Sequence, residues 1–214
     1  ILQNFLKIID PVIKNFRKNE KFLISESYLG KKDEIKLNLK LGLFPYTLVT
    51  EIDTNTFPED NLRKKIILIL NIKNNFEKFL NSFISKMIPC SYVENYNKFR
   101  SQVLKISWPK NLKVIFTSHF LCSKTFPSFY VAAKKEQGAK LIHGQHGGSY
   151  GQSLISSWED FEVKISDLFL SWGWKVKSDN SIKPLGIIKP INRLHKISKI
   201  KNKKKLLIVL RPKE

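Results

Sequence analysis

The sequence predicts an α/β protein built on a parallel sheet, and three observations predict it. Residues 113–117, a helical stretch over 126–137, and Lys140-Leu141-Ile142-His143 read strand, helix, strand, the order of a right-handed βαβ unit. Each strand closes on polar residues or glycine: Ser118-His119, then a glycine loop, then Trp172-Gly173-Trp174 after a third strand over 165–171. The 214 residues are 42% hydrophobic and 12% aromatic, enough for a real core and too much for a disordered chain.

The remaining elements follow from periodicity. Leu2, Phe5, Leu6, Ile9, Ile13 and Phe16 recur at helical spacing, which predicts an amphipathic helix over 2–18, kinked at Pro11. Phe22-Leu23-Ile24 predicts a short strand, and 33–41 fits helix and strand patterns equally. The prolines and the Thr, Asn and Asp residues of 43–58 predict an irregular connection. Glu59 and Asp60 open a predicted long helix, their charge suited to its N-terminal dipole. Its expected buried face is Leu62, Ile66, Ile69, Phe76, Phe79, Leu80 and Phe83, and Pro89 ends it. A further helix is expected over 92–104. The helix over 126–137 stops at Gly138, a suitable C-cap residue. After an acidic helical turn at 158–160 and the strand over 165–171, residues 182–186 predict a fourth short strand. Residues 189–205 are polar and basic, and Leu206-Leu207-Ile208-Val209-Leu210 has the continuous apolar character of a buried strand. Ile1 at one end and this run at the other predict a piece of a longer chain.

The chemistry concentrates behind the 140–143 strand. His143 to Gly151 hold two of the chain's four histidines and four of its nine glycines, more than a tight turn requires. A Gly-rich turn at the carboxyl end of a buried strand is where open α/β sheets bind ligands. Within it, His146 is the candidate general base, since imidazole accepts and returns protons near neutral pH. The amides of Gly147 and Gly148 are candidates to meet phosphate or developing charge. His119 and Asp167 are further catalytic candidates, Asp167 as a carboxylate orienting a histidine. Gln145, Gly147, Gly148, Ser149, Tyr150, Gly151, Ser118, Trp172 and Gly173 are the candidate substrate-binding residues. His143 and His146 at i, i+3 lack a third ligand at recognisable spacing, so no metal is expected.

Other patterns exclude or compete. No G-x-G-x-x-G and no Walker A motif marks a standard dinucleotide or P-loop site. No helix-turn-helix, zinc-finger or RNP signature points to specific nucleic acid. Cys90 and Cys122 have no C-x-x-C spacing, which argues against a disulfide framework or zinc site and fits a reducing cytoplasm. The net charge of +20 fits an anionic partner or surface. But the lysines are spread along the chain with one cluster near the C-terminus, so it reads first as a composition rich in Lys, Asn and Ile, with a modest anion preference left over. Gly147-Gly148-Ser149-Tyr150-Gly151 also matches G-x-S-x-G, so a serine hydrolase using Ser149 with Asp167 or Asp179 and His195 is one alternative. Against it stands the poor helical pattern after Gly151. A non-enzymatic basic module binding nucleic acid or anionic lipid is the other.

Three blocks carry a resemblance: Ser107-Trp108-Pro109-Lys110 with Val114-Ile115-Phe116-Thr117-Ser118; Gly144-Gln145-His146-Gly147-Gly148-Ser149-Tyr150-Gly151; and Glu159-Asp160, Ile165-Ser166-Asp167, Ser171-Trp172-Gly173-Trp174 and Lys183-Pro184-Leu185-Gly186. Over about residues 88–190 the ordered set resembles a family of transferases encoded in bacterial O-antigen and surface-polysaccharide gene clusters. The resemblance implies a Rossmann-like parallel sheet with helices on both faces, the N-terminal half of a GT-B-like two-domain architecture with a helical N-terminal third. It divides the chain into an acceptor-side domain at 1–190, a basic linker at 191–203 and the start of a second Rossmann-like domain at 204–214. It implies a glycosyltransferase-like enzyme that moves a sugar or sugar-phosphate group from a nucleotide donor to a saccharide or lipid-linked acceptor. No cofactor is implied, because the donor is itself the activated substrate. The expected location is the cytoplasm, with peripheral contact at the anionic inner face of the membrane.

Overall fold

The computed structural model describes residues 19–45, 57–66, 71–105, 108–119, 121 and 124–188. The helix expected over 2–18, the basic linker and the apolar run at 206–210 lie outside them. Twelve described elements follow in chain order. They are β1 (Phe22–Ile24), α1 (Lys31–Lys40), α2 (Asp60–Arg63), α3 (Asn75–Met87), a 3₁₀ turn (Cys90–Tyr92), α4 (Tyr96–Lys105), β2 (Val114–Thr117), α5 (Thr125–Glu136), β3 (Lys140–Gly144), α6 (Ser157–Ile165), β4 (Leu168–Ser171) and β5 (Ile182–Pro184).

The sheet is parallel throughout, in the order β1-β2-β3-β4-β5. The chain is an α/β protein of Rossmann-like character, as its strand and helix patterns predict. The described strands follow one another without reversal, so right-handed crossovers carry α5 and α6 over the same face of the sheet. Register puts Leu23, Ile115 and Leu141 in one row across the sheet, and His143, Phe169 and Ile182 in a second. These residues are buried and share one face. The first row packs against Phe99 and Val103 of α4 and Phe126, Tyr130 and Val131 of α5. The second packs against Tyr150 and, from α6, Val163. The alternate residues Ile24, Val114, Phe116, Ile142, Leu168 and Leu170 are only half-buried.

The Trp108-Pro109 block is part of this scaffold. Trp108 meets Tyr130 edge to face at 4.7 Å between ring centroids, and the Tyr130 hydroxyl donates to the Pro109 carbonyl at 2.7 Å. Two buried groups fasten the helical part below it. The Arg63 guanidinium donates to Glu94 at 2.6 and 2.9 Å and to the carbonyls of Ser85 and Lys86. The hydrogen bond from Arg63 outweighs the cost of burial and holds the Glu94 carboxyl down at about 2.

One open stretch is resolved and two expectations are corrected. The ambiguous stretch at 33–41 is helical, as α1. The long helix opened by Glu59 and Asp60 is two helices, α2 and α3, because Asn74 caps a new start by accepting the Glu77 N–H at 2.9 Å. Its aromatic stripe is not buried among the described residues: Phe76, Phe79 and Phe83 are 66%, 57% and 47% exposed, and Phe79 stacks on Phe83. Finally, the strand expected over 165–171 begins only at Leu168, because Ile165 closes α6 and packs on the core.

Candidate active site

The strands deliver their chemistry to one edge. Ser118-His119 follows β2, Gln145-His146 follows β3 and Trp172 follows β4, so all three loops leave the carboxyl edge of the sheet. These loops converge: the rings of His119 and His146 lie 5.0 Å apart, and Gln145 reaches the Trp172 backbone.

Gln145 is buried beneath the glycine loop. Its amide donates to the Gly147 carbonyl at 2.6 Å, and its oxygen accepts from the Trp172 backbone N–H and the Trp174 indole, each at 2.8 Å. The side chain therefore locks the glycine loop to the β4–β5 connection. Gly144 allows β3 to approach Ser118, since a Cβ there would lie 2.5 Å from the Ser118 hydroxyl. Gly151 holds φ at +74° against the Trp174 ring, a conformation and a space that suit glycine alone. Its N–H donates to Glu159 at 2.8 Å, which ties the far end of the loop to α6.

His146 sits inside this frame with a carboxylate partner that no sequence motif marked. Glu162 projects from α6 and is buried, with Oε1 3.0 Å from His146 Nε2. The Tyr150 hydroxyl donates to Glu162 Oε2 at 2.7 Å, and its oxygen lies 2.8 Å from the same His146 nitrogen. Burial pushes the Glu162 carboxyl up, but the hydrogen bonds from His146 and Tyr150 and the neighbouring His143 outweigh it and hold it below its usual range. An ionised carboxylate only accepts, so Nε2 of His146 carries a proton, and in the neutral ring Nδ1 is the acceptor. Every hydrogen in the trio then has an acceptor.

His143 lies under the same carboxylate. Its ring is fully buried and stacks on Phe169 at 5.9 Å, with Nδ1 3.6 Å from Glu162 Oε2. Neither ring nitrogen has a hydrogen-bond partner among the described residues. Burial drives its imidazole down to about 4, against the attraction of Glu162 and with help from His146 and His119, so it is neutral at pH 7.

The other candidates divide. Tyr150 belongs to the trio and Ser118 is buried, its hydroxyl donating to the Ser27 carbonyl at 3.2 Å. Gly147, Gly148 and Ser149 form the outer part of the loop, with Gly148 and Ser149 exposed. Gly173 is exposed beside Trp172. Asp167 is not brought to the histidines. It precedes β4 at the opposite edge of the sheet, where Lys135 at 2.7 Å, Lys140 at 3.0 Å and the Leu141 N–H at 2.8 Å all donate to it. Burial pushes this carboxyl up, and those three donors together hold it well below the usual carboxylate range.

The arrangement around Ser149 lacks the strand–Ser–helix turn of a nucleophile elbow. β3 ends at Gly144 and α6 begins at Ser157, leaving Ser149 in the middle of a loop. Asp179 bonds the Ser181 hydroxyl at 2.6 Å, and His195 lies outside the described residues. An apolar groove of about 710 Å³ opens elsewhere, among α4, α5 and α6, and shares no lining residue with the histidine cluster.

Sequence reasoning missed Glu162 because it reads as one more acid after Glu159 and Asp160 at a helix start. The available signal was its place three residues before Ile165, on the inward stripe of the helix. Tyr28 lies in no motif at all.

A carboxylate-anchored imidazole at the carboxyl edge of a parallel α/β sheet is an arrangement suited to proton transfer. The family model described as LIC12162 family transferase matches residues 1–213, and the chain belongs to that family of transferases. No curated protein and no solved structure matches it.

Proposed function

We propose that the chain is the acceptor-side part of a glycosyltransferase-like enzyme of surface-polysaccharide assembly. It moves a sugar or sugar-phosphate group from a nucleotide-activated donor to a hydroxyl acceptor. The observation that carries this reading is the anchoring of His146 Nε2 by Glu162 and Tyr150, which leaves Nδ1 as the proton acceptor.

The acceptor hydroxyl gives its proton to His146 Nδ1 as its oxygen bonds to the transferred group. The bond from that group to the nucleotide breaks, and the nucleotide leaves with the electron pair. Glu162 stabilises the imidazolium formed in this step, as an orienting carboxylate does for any histidine base. The amides of Gly147 and Gly148 have no hydrogen-bond partner among the described residues, which suits them to the developing negative charge. No resident cofactor takes part, because the activated group arrives on its nucleotide. The donor's remaining contacts are assigned to a second Rossmann-like domain, in a GT-B-like pair. The net charge of +20 supports peripheral contact with an anionic membrane face, where a lipid-linked acceptor would reside. No helix among the described residues is long and apolar enough to cross a membrane.

The test uses the full-length protein. A thermal-shift screen against sugar nucleotides and CDP-alditols names the donor class, since a ligand selective for the folded state raises the midpoint. With that donor, His146→Ala is expected to lower turnover by about 10²–10⁴-fold with the fold retained. Undiminished turnover in His146→Ala would sink the assignment, and a screen without any shift would count against a nucleotide donor.

A further inference from the structure

The loop after β1 places a ring over the site that no motif and no comparison marks. Tyr28 lies 6.1 Å from His146, 6.4 Å from His119 and 6.4 Å from Trp172, measured between ring centroids. With His119 and His146 at 5.0 Å, the four rings make one continuous aromatic surface at the carboxyl edge of β1 to β4.

The chain bends unusually to put Tyr28 there. Glu26 and Tyr28 both hold positive φ, at 54° and 67°, a region that residues other than glycine seldom enter. The bend is braced on every side. The Ser118 N–H donates to the Glu26 carbonyl at 3.0 Å, and Ser27 donates through its N–H and its hydroxyl to Glu34, each at 2.6 Å. Lys124 is paired with Glu26 at 2.7 Å. Backbone held in a sparsely populated region by its surroundings is a common property of ligand-binding segments.

We propose that Tyr28 and Trp172 form the floor on which the saccharide ring of the acceptor stacks, presenting one hydroxyl to His146. This rests on the transferase reading above. A pyranose has an apolar C–H face and a polar rim; aromatic rings take the face, and imidazoles at the border take hydroxyls.

The experiment is saturation-transfer NMR on the full-length chain with methyl glycosides of glucose, galactose, mannose, rhamnose and N-acetylglucosamine. Tyr28→Asn removes the ring while keeping a residue that tolerates positive φ, and Tyr28→Phe keeps the ring. At least one glycoside is expected to receive saturation on its C–H protons. That signal should fall at least fivefold in Tyr28→Asn and in Trp172→Leu, and persist in Tyr28→Phe. Saturation unchanged in a folded Tyr28→Asn, or absent for every glycoside in the wild type, overturns the proposal. The two readings fail separately. Loss of turnover in His146→Ala with glycoside binding indifferent to Tyr28 refutes the floor and leaves the transferase. Tyr28-dependent glycoside binding without any donor-dependent turnover refutes the transferase and leaves the floor.

Discussion

Glu162 and Asp167 are neighbours in sequence but serve opposite edges of one sheet, and the difference lies in what donates to them. Asp167 receives two ammonium groups and a backbone amide. Glu162 receives an imidazole and a phenol and has a second imidazole at 3.6 Å. In both, burial pushes the carboxyl up and its partners more than offset that. A carboxylate held by ammonium groups and a backbone amide is a strut; one bonded to imidazole can pass on the consequences of a proton moving. The comparison therefore turns on chemistry of the partners, not on the charge of the acid.

The sharpest way to break it is Glu162→Gln. An amide at this position can present its NH₂ to His146 Nε2, which drives the ring proton to Nδ1 and removes the lone pair the proposed mechanism uses. A wrong tautomer at an otherwise intact histidine is severe, so turnover is expected to fall by about 10²-fold or more. Kinetics on the full-length enzyme, with circular dichroism to confirm folding, measure it. A Glu162→Gln enzyme within threefold of wild type would make the two carboxylates equivalent.

How far this contrast was legible in the sequence depends on the type of signal. Strand–helix–strand order, the stop at Gly138 and the glycine loop are local patterns, and they placed β2, α5, β3 and the edge where the loops meet. His146 was legible because an imidazole among glycines is unusual. Its carboxylate was not, since Asp167 and Glu162 lie close together in sequence and only the length of α6 decides which faces the histidines. Once the helix runs to Ile165, Asp167 falls at the start of a strand and Glu162 on the buried stripe. Gln145 was read as a ligand contact and is fully engaged within the fold, a distinction that depends on the Trp172 and Trp174 donors. Tyr28 depends on backbone angles that periodicity does not encode.

His143 sharpens the same comparison through pH. Its imidazole titrates at about 4 when folded and near 6.5 when unfolded, so the unfolded chain binds the extra proton between those values. The folded state is thus favoured fully above pH 6.5 and loses that advantage as pH falls toward 4. The difference amounts to roughly 2 kcal/mol between pH 7.5 and pH 5, and the carboxyls of Glu162 and Asp167 add further loss nearer their own range. Replacing it by His143→Gln removes this contribution alone. Urea midpoints at the two pH values should show the wild type losing more stability on acidification than the variant. Equal losses would mean that the ring is not held neutral in the folded protein.

The smallest effect is expected at the other edge, and it concerns stability alone. Asp167→Asn keeps an oxygen that can still accept the Leu141 N–H but removes the charge that holds Lys135 and Lys140. Lys140 is 69% exposed, so water already screens much of that pair, while Lys135 also donates to the Ile165 carbonyl and stays anchored. The expected cost is about 1 kcal/mol, read from the urea midpoint. Part of it should vanish in high salt. Turnover should stay within threefold, since nothing bonded to Asp167 reaches His146. A large loss of turnover in a stable Asp167→Asn enzyme would return this residue to the role expected from the sequence, a carboxylate orienting a histidine, and would require the two edges to be coupled through β3 and β4.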